Sequence, residues 1–126
     1  MSNKPGIGLT AQQAKQLMTI QGEYRSKIGR DFSDPAAWFS QHVSNYLSAV
    51  SVEAELENSG HGTGRRRAAK LRRDSLIALK SRLGRQATAE DLTNELSRFV
   101  MVPEFLVEAI RRDLLLLATG SSGRIS

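Results

Sequence analysis

Cysteine is absent from the 126 residues, so the chain has no disulfide framework and no thiolate chemistry to offer. Histidine occurs twice, as His42 and His61, at no metal-ligand spacing, which argues against a transition-metal site; no metal and no cofactor is expected. No apolar run approaches the twenty or so residues a membrane span needs. The opening MSNKPGIGL has no apolar stretch of the kind a signal peptide carries. Carboxylates are scattered rather than paired for acid–base work, and no nucleophile motif is present, so an enzyme is not expected. A cytoplasmic, non-membrane protein fits all of these absences.

Hydrophobic residues make up 40% and charged residues 25%, the balance of a folded chain able to bury one core. Charge is unevenly placed. Arg65 to Arg85 holds nine of the eighteen Lys and Arg residues and one acid, Asp74, a formal +8 against +5 for the whole chain, so the remainder sums to −3.

Read as a helix, this stretch carries Ala68, Ala69, Leu76, Leu79 and Leu83 on one face. Lys80, Arg73, Arg66, Lys70 and Arg67 fall on the other. Arg72 lands inside the apolar stripe, a place an Arg stem can occupy while its head reaches water. Clustered charge of this density marks an electrostatic footprint for a polyanion. The candidate phosphate contacts are Arg65, Arg66, Arg67, Lys70, Arg72, Arg73 and Lys80, with DNA expected ahead of RNA. The competing reading is a solvated basic face, paired with the acidic first half of the chain. An anionic membrane suits it less, because the apolar face has no Trp or Phe.

The remaining elements follow from caps and periodicity. Residues 1–8 read as a loose arm. Thr10 and Gln13 make a capping box for a helix to about residue 28, with Ala14, Leu17, Gln21, Tyr24 and Ile28 on one face and Ile20 at its edge, and Gly29 as a stop. Asp34–Pro35 is a second start signal. Phe39, Val43, Tyr46, Val50 and Ala54 repeat at helical spacing to about residue 57, with Trp38 and Leu47 flanking. Glu53, Glu55 and Glu57 sit where a helix dipole disfavours them. The glycine-rich run 58–64 predicts a flexible hinge; as a phosphate cradle it lacks the strand, lysine and hydroxyl of a P-loop. Thr88 caps a fourth helix with Leu92, Leu96, Phe99 and Val100 buried, and Pro103 restarts the chain.

The last helix is apolar around most of its circumference, which predicts that it is either the centre of the bundle or half of a dimer interface. Phe105, Leu106, Ile110, Leu114 and Leu117 are the candidate partner-contacting residues. The last two helices invite comparison with helix-turn-helix readers, since Leu96, Val100, Val102, Val107 and Ile110 are spaced for such a core. Met101 at a position commonly glycine, and Glu104 and Glu108 at the start of the second helix, favour an ordinary helical hairpin instead.

The sequence thus predicts an all-α protein: one domain over 9–118, helices at about 10–28, 35–57, 65–84, 88–100 and 103–118, and a loose tail at 119–126. The expected function is a small nucleic-acid-binding accessory or regulatory protein. The alternative is a non-catalytic adaptor or assembly subunit, a homodimer included, that docks through its last helix and its basic patch.

Overall fold

In the computed structural model, residues 8–28, 37–60 and 62–118 are described; the arm over 1–7, the stop at Gly29, the start signal at Asp34–Pro35, His61 and the tail at 119–126 lie outside them. Among the described residues five helices pack together: α1 (Ala11–Lys27), α2 (Ala37–Ser59), α3 (Gly62–Leu83), α4 (Ala89–Ser97) and α5 (Glu104–Ala118). No strand occurs among the described residues, and the architecture is all-α.

The capping chemistry read from the sequence is present. Gln13 N–H donates to Thr10 Oγ1 at 3.1 Å and Thr10 N–H to Gln13 Oε1 at 3.0 Å, satisfying two orphan donors at the start of α1. Thr88 and Asp91 make the same reciprocal pair at α4, at 2.9 and 3.0 Å. Arg85 also donates to Asp91 at 2.8 Å, and that bond holds the Asp91 carboxyl below its ordinary range. α1 buries Ala14, Leu17, Ile20 and Tyr24, so Ile20 replaces the half-buried Gln21 on the inner face.

The central element is α2, and this corrects the first of the two expectations for α5, that it is the centre of the bundle. α2 packs against α1, α3 and α4, most extensively against α3. Val43, Tyr46, Leu47, Val50 and Ala54 are all but fully buried on it. α5 instead docks by one side. Leu106, Ala109, Ile110, Asp113 and Leu114 face inward, while Leu115 and Leu116 are 63% and 56% exposed. Leu106, Ile110 and Leu114 are therefore core residues of this chain and are not available to a partner. Phe105 and Leu117 are partly buried against the same core.

The glycine run also differs from expectation. α2 continues through Ser59 and α3 begins at Gly62, so most of 58–64 is helical. Gly60 carries the reversal at φ +82°, a backbone conformation that favours glycine. Gly64 lies inside α3, where a Cβ would stand 2.8 Å from Leu56 Cδ1. Its missing side chain is what lets α2 and α3 approach closely at the hairpin end. Asn58 Nδ2 donates to Ala54 O at 2.8 Å and to Leu9 O at 3.0 Å, tying the segment before α1 to the end of α2.

Candidate nucleic-acid interface

α3 is the element on which the candidate phosphate contacts ride, and its inner face decides which way they point. Ala68, Ala69, Leu76 and Leu79 are buried. With that side fixed, Arg66, Arg73 and Lys80, seven residues apart, stand on one line along the outer side, all exposed. Two helical turns separate successive members, roughly 10 Å. Lys70 stands between them, also exposed, with its Nζ 2.9 Å from Asp74 Oδ2 one turn on. Arg67 is exposed but lies toward α2, beside the groove between the two helices. Arg65 is half-buried at the first turn. Among the described residues, Arg65, Arg66, Arg67, Arg73 and Lys80 make no ion pair.

Arg72 does not belong to this set, and its assignment as a phosphate contact is corrected. The head turns inward, leaving the side chain 11% exposed. Nε donates to Glu53 Oε1 at 2.6 Å and Nη2 to Glu53 Oε2 at 3.4 Å, a forked contact with α2. Nη1 donates to Asp113 Oδ1 of α5. Asp113 Oδ2 in turn accepts from the Tyr46 hydroxyl at 2.9 Å. Burial alone would lower the guanidinium pKa, but the bonds to Glu53 and Asp113 outweigh it and raise the value. Burial, with the Asp113 charge behind it, pushes the Tyr46 phenol well above its ordinary value. The second helix thus folds back on the basic one, as the paired reading supposed, but among the described residues its carboxylates take up only Arg72.

A second polar cluster joins α1, α2 and α4. Glu95, buried, accepts from Tyr24 at 2.6 Å, from Ser40 at 2.7 Å and from Arg98 at 2.8 Å. Burial, then the bond to Glu95, raises the Tyr24 pKa. Both clusters are structural clamps. The sequence pointed to pairing between the acidic end of α2 and the basic helix but not to Asp113 or to the Glu95 cluster, although Arg72, Glu53 and Asp113 each occupy an apolar-face position of an amphipathic helix.

At the far end of the α2–α3 pair, the Arg82 guanidinium lies 4.7 Å above the Trp38 ring, and His42 meets the same ring edge-on at 5.9 Å. Burial and the Arg82 charge lower the His42 pKa, favouring the neutral imidazole. Among the described residues no helix is long and apolar enough to cross a membrane. In the α4–α5 pair, Leu96, Val100 and Ile110 join the core, Glu108 pairs with Arg111 at 2.9 Å, and Met101 stands 88% exposed in the connection.

The fold and the site define an all-α protein with an outward basic helix. Comparison with protein-family models, curated proteins and solved structures finds no match to this chain.

Proposed function

We propose that this chain is a small nucleic-acid-binding accessory or regulatory protein that grips phosphates through the outer side of α3. The observation that carries the reading is the alignment of Arg66, Arg73 and Lys80 on one exposed line, with no carboxylate partner among the described residues. Lys70 and Arg65 flank that line and add to its field. Cations left this way release counterions when they meet a polyanion, the main source of sequence-independent affinity. Contacts of this kind go to the backbone and carry little sequence preference. Duplex DNA is the proposed polymer ahead of RNA, because a helix enters the wide B-form major groove and not the narrow A-form one. Binding alone, in a cytoplasmic setting and without a catalytic step, is what the proposal requires.

The test is a salt titration of binding to duplex DNA, single-stranded DNA and RNA. Affinity for the duplex falls steeply with salt, and Arg66→Ala/Arg73→Ala/Lys80→Ala makes the log–log slope shallower by about 3. Salt-independent affinity, or an unchanged slope in the triple variant, removes the proposal.

A second reading, an assembly subunit that engages another protein, draws on Leu115 and Leu116, exposed side by side on α5. Leu115→Ser abolishing capture of a protein partner, with nucleic-acid binding intact, is the result that favours it.

A further inference from the structure

An apolar surface apart from the core, the basic line and the exposed leucines of α5 lies along the α2–α3 pair. Between α2 and α3 runs an open groove of about 560 Å³, lined by Ala49, Val52 and Leu56 from one helix and Ala68, Leu71 and Ala78 from the other. Val52 and Leu71 are 45% and 55% exposed, large aliphatic side chains adjacent on neighbouring helices. The acidic and basic side chains in the lining are Asp74 and Arg67. His42, also in the lining, has its pKa lowered by burial and the Arg82 charge.

The placement of those two charges names the occupant. Leu71 sits between them, four residues after Arg67 and three before Asp74. Laid antiparallel on a second copy with a two-fold axis between Lys70 and Leu71, α3 sets Arg67 opposite the partner's Asp74. The same axis sets Asp74 opposite the partner's Arg67. An isologous contact repeats every pairing twice, so one chain carrying both charges neutralises both. Asp74 accepts from Lys70 through Oδ2, which leaves Oδ1 for the partner.

The register on α2 agrees. α2 and α3 are antiparallel, with Leu56 against Gly64 at the hairpin end. Seven residues further along each helix are Ala49 and Leu71. The axis that passes beside Leu71 therefore passes α2 at a small residue, where two helices can approach closely. We infer that this chain self-associates as a two-fold dimer through the α2–α3 seam, with Leu71 beside the axis and reciprocal Arg67–Asp74 pairs on either side. A helix from an unrelated protein would have to supply an acid and a base at matching spacing; a second copy carries them already.

The seam runs from His42 to Leu56 and from Gly64 to Ala78, fifteen residues of each helix. That is roughly 22 Å long and about 20 Å across two helices. The area covered is roughly 900 Å² over both copies, the size of a weak, exchanging interface. A dimer held by so small an interface is expected to dissociate on dilution.

The experiment is sedimentation equilibrium of the full chain without nucleic acid, over roughly 10 to 300 µM, the range suited to an interface of this size. The wild-type chain shows a concentration-dependent monomer–dimer equilibrium. Leu71→Glu stays monomeric. Arg67→Glu alone and Asp74→Arg alone each weaken association about tenfold or more, and the double swap restores it to within about threefold. All three positions are exposed, and unchanged helicity by circular dichroism confirms that the variants fold. Because the chain has no cysteine, Leu71→Cys places a single thiol beside the axis, where oxidation gives a cross-linked dimer. Ile77→Cys, on the outer side of α3, does not cross-link. A wild-type chain monomeric throughout the range overturns the proposal. A dimer that survives Leu71→Glu, or a double swap that restores nothing, overturns it equally. Nucleic-acid binding plays no part in these readouts, so the two proposals fail separately.

Discussion

Arg72 shows how much a single side chain can decide. Two carboxylates and one guanidinium are withdrawn from water together, Glu53 and Arg72 lying across the α2–α3 contact and Asp113 bringing in α5. Desolvating charges is costly, and such an arrangement holds only while every partner is present. Arg72→Met leaves Glu53 and Asp113 buried without their cation. It is expected to destabilise the fold by about 3–5 kcal/mol in chemical denaturation. Adding Glu53→Gln and Asp113→Asn returns part of that loss, because the stranded charges are gone. Arg73→Met, one position along and facing outward, is expected to change stability by no more than about 0.5 kcal/mol. The contrast between adjacent arginines separates the buried role from the exposed one.

At the scale of elements, the pairing of α2 with α3 is the unit on which the rest is built. Its closest approach depends on Gly64 lacking a side chain beside Leu56. Gly64→Val improves helix propensity, and the atom it meets is the free end of Leu56, which lines the open groove and can turn aside. The two effects offset, and a net change within about 1 kcal/mol is expected by thermal or urea unfolding, more favourable in a Leu56→Ala background. Most elements were legible in the sequence because local signals set them: the Thr10 and Thr88 boxes, the stripe Val43, Tyr46, Val50 and Ala54, and the restart at Pro103. The α2–α3 turn was not legible. Three glycines within five residues read as a breaker, whereas Gly62 and Gly64 lie in α3 and Gly60 stands at the reversal with a positive φ. Gly64 is there for packing, a reason that exists only when two helices are brought together.

For the whole molecule, the informative quantity is how charge is divided between inside and outside. Arg72 is spent on cohesion, while Arg66, Arg73 and Lys80 contribute nothing visible to it. The Arg66→Ala/Arg73→Ala/Lys80→Ala variant is accordingly expected to keep its stability within about 1 kcal/mol of wild type, or to gain slightly as like charges are removed. A large loss would show that those cations are structural after all. The candidate site was thus partly readable: periodicity located the basic line, and the proposed class of partner rests on its charge density. Arg67 and Arg65 were grouped with it from sequence, but the fold turns Arg67 toward the α2–α3 groove and half-buries Arg65.

The amino-acid sequence by itself determined the helices, their caps and the local excess of positive charge, because these depend on neighbours within a turn or two. Tertiary structure alone decided that α2 rather than α5 is central, that Leu106, Ile110 and Leu114 face inward, and that Arg72 belongs to the core. A helical face can be read from spacing. Which face meets which neighbour, and whether a charge on that face finds a distant counter-charge such as Asp113, is settled only when segments far apart in the chain are packed together.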